Sequence, residues 1–147
     1  MKTQIGQVDK QQLPGLISAL SRDKLSKDDL ATLSKWVLVS SAVYSGSWEG
    51  QLCCLWGLIP PTLLSEQAYL WLHTTEAAKE HEFVLVRRSQ IEVRKMLEEH
   101  PRIIGHCEIG AERSIRWLRW LGAVFGEPQG KLIPFVIRGK DATDLIN

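Results

Sequence analysis

Residues 112–126 read ERSIRWLRWLGAVFG, a stretch with the apolar spacing of an amphipathic helix. At about 100° per residue, Ile115, Leu118 and Leu121 lie on one face, and Trp117 lies at the edge of that face. The opposite stripe consists of Arg113, Arg116, Arg119 and Trp120. The pattern therefore predicts a helix that packs through its apolar face, buries Trp117 and leaves Trp120 incompletely buried.

The stripe of arginine and tryptophan has three interpretations. Arg113 and Arg116 each precede a tryptophan by four residues, a spacing that allows cation–π stacking. The pattern favours the solvated back of a core helix, where Trp120 covers arginine stems or packs against residues 141–147. The second interpretation is a protein contact formed by Arg116, Arg119 and Trp120, since Trp and Arg are enriched at binding hot spots. Nucleic acid is the weakest interpretation, because no second cluster of basic and aromatic residues supports it.

Composition indicates an ordinary globular protein. The chain of 147 residues is 44% hydrophobic and 24% charged, which predicts one domain over residues 1–147. Eighteen basic residues against 17 acidic ones give a net charge of +1, which argues against bulk binding of nucleic acid. The first 12 residues contain no apolar core of a signal peptide, and no apolar run is long enough for a bilayer. We expect a cytoplasmic protein without membrane contact.

Cysteine and histidine do not have the spacing of metal ligands. Cys53 and Cys54 are adjacent and would point to opposite faces of a strand, which disfavours a disulfide between them. With Cys107, we expect buried thiols in a reducing compartment. None of the four histidines is spaced with cysteine or carboxylate as a metal site requires, so the sequence predicts no metal.

Local signals predict the order of the elements. A short strand over residues 3–8 precedes two helices, whose starts are marked by capping boxes. Asp9 with Gln12 forms the first box. Ser26 with Asp29 forms the second, and that helix should end near residue 37.

The remaining elements indicate a mixed sheet. Three apolar segments, 39–45, 51–59 and 67–73, are separated by turn residues and predict consecutive antiparallel strands. After them the pattern predicts a helix from about 83 to 99, a strand over 102–109, the tryptophan helix and a last strand over 131–139. Because a strand, a helix and a strand follow one another, we expect one parallel pair in the sheet.

The segment SIRWLRWLGAVF, which follows a predicted strand, resembles a conserved segment of the GNAT N-acetyltransferases. That family segment has the form Asn-x-x-Ala-Ile-x-Phe-Tyr-x-x-Leu-Gly-Phe, and the order of elements resembles the family over nearly the whole chain. More narrowly, residues 73–106 together with this segment resemble the small acetyltransferase-like proteins of tailed bacteriophages. The resemblance implies an α/β fold: a mixed, twisted sheet with helices on both faces that splays between its two central parallel strands. It also implies acetyl-CoA or CoA as the cofactor.

Two features of the sequence depart from the GNAT pattern. When Gly122 is aligned with the motif glycine, Ala111 replaces the coenzyme-contacting asparagine and Leu118 replaces the tyrosine that acts as general acid. The stretch 74–82 stands where the family has its glycine-rich phosphate loop, yet it contains no glycine. It carries three carboxylates that would repel a pyrophosphate, Glu76, Glu80 and Glu82.

If a coenzyme binds, the resemblance places it between the strand ending at His73 and the strand that contains residue 108. The residues expected near its pyrophosphate are Thr74, Thr75, Lys79, Arg87 and Arg88. For the two arginines, solvated helix charges are the favoured alternative. His73 and Glu108 are the candidates for the catalytic base that removes a proton from the substrate amine.

The resemblance to the phage proteins implies virion assembly or protein contact, with a coenzyme site that has lost efficient catalysis. The competing function is an acetyl-CoA-dependent N-acetyltransferase with a substituted phosphate site. A third function is inhibition of a host protein bound through Trp120. The partners expected are virion or host proteins, and the expected location is the host cytoplasm or the virion.

Overall fold

A computed structural model of the protein describes residues 3–21, 26–60 and 66–139. The strands are β1 (Thr3–Gln7), β2 (Ala42–Trp48), β3 (Gln51–Ile59), β4 (Gln67–Thr74), β5 (Arg102–Glu108), β6 (Val124–Phe125) and β7 (Leu132–Arg138). The helices are α1 (Leu13–Ser21), α2 (Lys27–Val39), α3 (Glu82–Glu99) and α4 (Glu112–Trp120). All described strands form one sheet in the order β1-β2-β3-β4-β5-β7-β6, in which β4 and β5 form the parallel pair. The predicted antiparallel meander of β2, β3 and β4 is confirmed.

Each predicted capping box forms one of its two hydrogen bonds. The Asp9 amide donates to the Gln12 side-chain oxygen at 3.0 Å, just before α1. The Asp29 amide donates to the Ser26 hydroxyl at 3.1 Å and begins α2. These bonds satisfy amides that have no partner within a helix, which explains why the motif locates helix starts from sequence.

The predicted boundary between α2 and β2 is wrong. The helix continues to Val39, and β2 begins only at Ala42, so part of the expected strand 39–45 is helical. Ser40 ends the helix because its backbone is extended (φ −73°, ψ 139°), although its amide and its hydroxyl still donate to the Trp36 carbonyl, at 3.1 Å and 2.6 Å.

Helices cover both faces of the sheet, as predicted. Alternate strand residues point to opposite faces, so Leu55 and Trp71 pack beneath α1 and α2, whereas Trp56 packs beneath α3 and α4. The larger core, on the side of α3 and α4, also contains Trp117. No helix in the described ranges is both long and apolar enough to cross a bilayer.

The three cysteines are buried and none forms a disulfide, as predicted. Burial raises the pKa of each of their thiols, most strongly for Cys54. Each thiol therefore stays protonated near neutral pH and behaves as a small apolar side chain. Among residues 3–21, 26–60 and 66–139, no group of three His, Cys, Asp or Glu side chains is arranged to hold a metal ion.

Candidate coenzyme cleft

The sheet opens between its two parallel strands. The paired residues of β4 and β5 are Gln67 with Arg102, Ala68 with Ile103, and Tyr69 with Ile104. Beyond these pairs, β4 continues along β3 and β5 continues along β7, each to its carboxyl end. The predicted splay is therefore confirmed, and it lies at the sheet edge where ligands of open α/β folds bind.

His73 and Glu108 lie at corresponding positions on the two sides of this splay. Each lies four residues beyond the last paired residues, Tyr69 and Ile104, so the two are level in the register of the strands. Alternation along a strand also places both on the face covered by α1 and α2. His73 is half-buried, whereas Glu108 is exposed and lines an open surface cavity of about 630 Å³. Their roles as catalytic bases stay predictions.

Tyr69 closes the start of the splay. Its ring stacks on the His106 ring at 5.9 Å between centroids, with the two ring planes 30° apart. Burial raises the pKa of the Tyr69 hydroxyl, and the nearby His106 backbone amide lowers it in part. The Tyr69 side chain therefore packs against β5 just beyond Ile104, the last residue of β5 that pairs with β4.

The predicted phosphate-binding turn bonds to the sheet instead. The Thr75 amide donates to the Cys53 carbonyl at 2.9 Å, and its hydroxyl donates to the Leu52 carbonyl at 2.7 Å. Thr74 is still part of β4, paired with Cys54. Both hydrogen-bond donors of Thr75 are therefore occupied by β3 in this structure.

Of the cations proposed for the pyrophosphate, the two arginines have contacts within the protein and the lysine is exposed. Arg88 donates to the Thr3 carbonyl at 3.3 Å in β1, which lies three strands from β4 in the sheet order. The Arg87 guanidinium lies over the Phe83 ring at 5.7 Å and is exposed. Lys79 is exposed in the 3₁₀ turn Glu76–Glu80 before α3. Both arginines thus have contacts within the protein, and their role at a pyrophosphate stays a prediction.

Glu82, the first residue of α3, instead joins α3 to α4. Arg113 Nε lies 3.0 Å from its Oε1, and Arg116 Nη2 lies 2.7 Å from its Oε2 and 2.9 Å from its Oε1. Arg113 Nη1 also donates to the Thr75 carbonyl at 3.3 Å. The side chain of Glu82 is only 14% exposed, so these ion pairs are partly shielded from water.

Arg113 therefore differs from its prediction, in which it stacked on Trp117 on a solvated stripe. Trp117 is 1% exposed and belongs to the core, as expected, but Arg113 bonds to Glu82 instead. A carboxylate within reach attracts a guanidinium more strongly than the face of a ring does. Nothing in the spacing of α4 identifies a partner on another helix.

The outer surface of α4 matches its prediction. Trp120 is 42% exposed, and the Arg116 guanidinium lies 5.9 Å from its ring centroid. Arg119 lies over the Phe125 ring at 5.5 Å. An open surface cavity of about 410 Å³ is lined by Glu112, Ile115, Arg116, Arg119 and Trp120. The surface of α4 therefore carries an exposed patch that combines an apolar ring with cationic groups: Arg116, Arg119 and Trp120.

The arrangement of elements is similar to that of solved acetyltransferases. The ribosomal-protein-S5-alanine acetyltransferase of Vibrio fischeri matches with a TM-score of 0.69 at 12% identity, over 96% of this chain and 95% of that one. An aminoglycoside N(6')-acetyltransferase from Legionella pneumophila gives 0.67 at 10% identity, over 99% and 96%. The Salmonella typhimurium protein yncA, a proposed acetyltransferase solved with its cofactor acetyl-CoA, gives 0.62 at 14% identity, over 94% of each chain.

Sequence comparison alone does not reach these proteins. No protein-family model matches the sequence, and no curated protein is similar enough to match. The likeness therefore lies in the backbone, which here forms one mixed sheet with a parallel pair that splays and with helices on both faces. In the part that the structure describes, the chain has the α/β fold of the GNAT acetyltransferases, with a mixed sheet of seven strands and four helices.

Proposed function

We propose that this chain is an acetyltransferase-like protein of bacteriophage type whose coenzyme site is degenerate, and that it acts in virion assembly through protein contact. The ion-paired Glu82 carboxylate carries the proposal, because it stands at the start of α3, where a coenzyme pyrophosphate would approach. A pyrophosphate brought there would find Arg113 and Arg116, the cations of α4, already bound by that carboxylate. The location that follows is the host cytoplasm and the virion.

The turn before α3 supports the same conclusion. A phosphate nest needs backbone amides that point outward, and glycine is the residue that allows them to do so. Residues 74–82 contain no glycine, and the Thr75 amide is bonded to β3. The turn therefore offers an anion few of the donors on which phosphate binding depends.

The competing function is an acetyl-CoA-dependent N-acetyltransferase. Two observations favour it: the splay is retained, and yncA, which has the same fold, was solved with acetyl-CoA. In that case His73 and Glu108, level with each other across the splay, are the candidates to remove a proton from an amine.

Calorimetric titration separates the two functions. Acetyl-CoA and CoA are titrated into the full chain at low salt, where electrostatic attraction to phosphate is strongest. The degenerate site predicts no heat of binding up to millimolar ligand. Micromolar affinity for either ligand would contradict this proposal and establish the coenzyme site of an enzyme.

The contact surface proposed for the partner is the exposed patch of Arg116, Arg119 and Trp120. An exposed tryptophan beside guanidinium groups has the composition of a binding hot spot. The partner is a virion protein in this proposal. Inhibition of a host protein through the same patch is the alternative, and co-purification of the chain with assembled particles distinguishes the two.

A further inference from the structure

We propose that Arg113 and Arg116 form an anion-binding site on α4, and that Glu82 occupies this site as an internal substitute for a phosphate group. The inference rests on the proposed function, because it explains physically why the coenzyme site is degenerate. The ligand class of the site is a phosphate or pyrophosphate, which gains access only when the carboxylate is absent.

The geometry is that of a bound anion. Two guanidinium groups from one helix converge on a single carboxylate of another helix, with three N–O distances between 2.7 and 3.0 Å. Guanidinium N–H groups form charge-assisted hydrogen bonds with carboxylate oxygens and with phosphate oxygens alike. A side chain that binds the carboxylate of Glu82 is therefore suited to a phosphate oxygen.

The charges are unequal in a direction that favours phosphate. Two cationic side chains face one carboxylate, and Glu112 of α4 is exposed and forms no ion pair with either arginine among the described residues. A phosphate group carries a charge of about −1.5 to −2 near neutral pH, so it matches two guanidinium groups better than a carboxylate does. The amino terminus of the 18-residue α3 adds a partial positive charge beside them.

One of the two arginines is fixed in place before any ligand arrives. Arg113 donates to the Thr75 carbonyl at the end of β4 while it binds Glu82. This bond holds its guanidinium beside the turn that leads into α3, independently of the carboxylate. Removing the charge of Glu82 should therefore leave Arg113 near its present position, with part of its donor capacity unused.

The test compares Glu82→Gln with Glu80→Gln by titration with inorganic pyrophosphate. Both variants raise the net charge by one, but Glu80 is exposed in the preceding turn and forms no ion pair among the described residues. We expect Glu82→Gln to bind pyrophosphate at least tenfold more tightly than the wild type, and Glu80→Gln to bind as the wild type does. The double variant Glu82→Gln with Arg116→Ala should lose the gain.

Equal affinities in all variants, or an equal gain in Glu80→Gln, would overturn the inference. Glu82→Ala is the second variant, should Glu82→Gln fail to fold. Tight binding of acetyl-CoA by the wild type would refute the proposed function, whereas the comparison of the two glutamine variants would still decide whether Glu82 occupies an anion site.

Discussion

Gly57 makes room for a tryptophan on the neighbouring strand. A Cβ atom at this position would lie 2.5 Å from Nε1 of Trp71, whose indole is buried and donates to the Ser40 hydroxyl at 2.7 Å. Gly57→Ala should displace the indole and lower the free energy of unfolding by about 1–3 kcal/mol, the usual cost of overpacking. Urea denaturation measures this change.

Gly6→Ala is the matched control for that substitution. Gly6 lies in β1, and an added Cβ would meet no atom within 4 Å. Its free energy of unfolding should stay within about 0.5 kcal/mol of the wild type. If both variants lose the same stability, the contact with Trp71 is not the cause.

The buried thiol of Cys54 predicts a dependence of stability on pH. Burial raises its pKa in the folded state, whereas a thiol in the unfolded chain titrates near 8.5. Above about pH 8.5 the unfolded chain releases a proton that the folded chain retains, so the free energy of unfolding should fall as pH rises. Below that pH both states hold the proton and this contribution is constant.

Urea denaturation at intervals between pH 8 and 10 measures how steeply the free energy of unfolding falls with pH. For one thiol this slope is at most about 1.4 kcal/mol per pH unit. Cys54→Ala should reduce the slope, although it also lowers the absolute stability. Cys53 and Cys107 contribute in the same direction, because burial raises the pKa of each. An unchanged slope in Cys54→Ala would show that its thiol is not the source.

At the scale of elements, α4 carries two tryptophans whose environments differ. Trp117 is 1% exposed and Trp120 is 42% exposed, although only three positions separate them. Trp117→Ala should cost about 3–5 kcal/mol, because it leaves a large cavity in the core. Trp120→Ala should cost about 1 kcal/mol or less, mainly its stacking with Arg116.

Thermal denaturation of both variants measures this difference, and particle incorporation supplies a second readout. Trp120→Ala should keep its melting temperature within a few degrees and lose association with its partner. A Trp120→Ala variant that unfolds like Trp117→Ala, while a solubilised form still assembles, would place Trp120 in the core and remove the contact proposal.

The strong local patterns of the sequence were sufficient to predict most elements. The segments 51–59 and 67–73 match β3 and β4 closely, since both have long apolar runs bounded by turn residues. β6 was not predicted, because Val124–Phe125 is too short to show any alternation. It exists because it pairs with β7 after α4 ends near Gly122, whose φ of 103° requires glycine.

Contacts between distant elements could not be predicted in the same way. The pair Arg116–Trp120 lies within one helix at a fixed spacing, and it was predicted correctly. Arg113 and Glu82 are on different helices, and their meeting depends on how α3 and α4 pack over the sheet. The stacking of the Tyr69 ring on the His106 ring is another such contact. Sequence alone therefore predicted where the sheet splays, but not these contacts between elements.

At the scale of the whole molecule, two cores share one sheet. Leu33 belongs to the core beneath α1 and α2, and Val93 to the core beneath α3 and α4. Because residues of β3 and β4 contribute to both, the described chain should unfold as one cooperative unit, as a single domain does. Leu33→Ala and Val93→Ala should therefore each lower the midpoint of one and the same unfolding transition.

Far-ultraviolet circular dichroism and tryptophan fluorescence measure that transition independently. In both variants the two signals should have the same midpoint. The fluorescence includes Trp71 from one core and Trp117 from the other, so it reports on both cores at once. Separate midpoints in either variant would divide the chain into two units and contradict the prediction of one domain.

The short ladder between β4 and β5 also has a mechanical consequence. Three residue pairs connect a block of β1 to β4 with a block of β5, β7 and β6, so the sheet itself resists torsion weakly at this seam. Arg88 ties α3 to the outer strand of the first block, while α4 follows directly from β5 in the second. The bonds of Glu82 with the α4 arginines, and of Gln90 with the Trp120 carbonyl, therefore act as a brace against twisting of one block relative to the other.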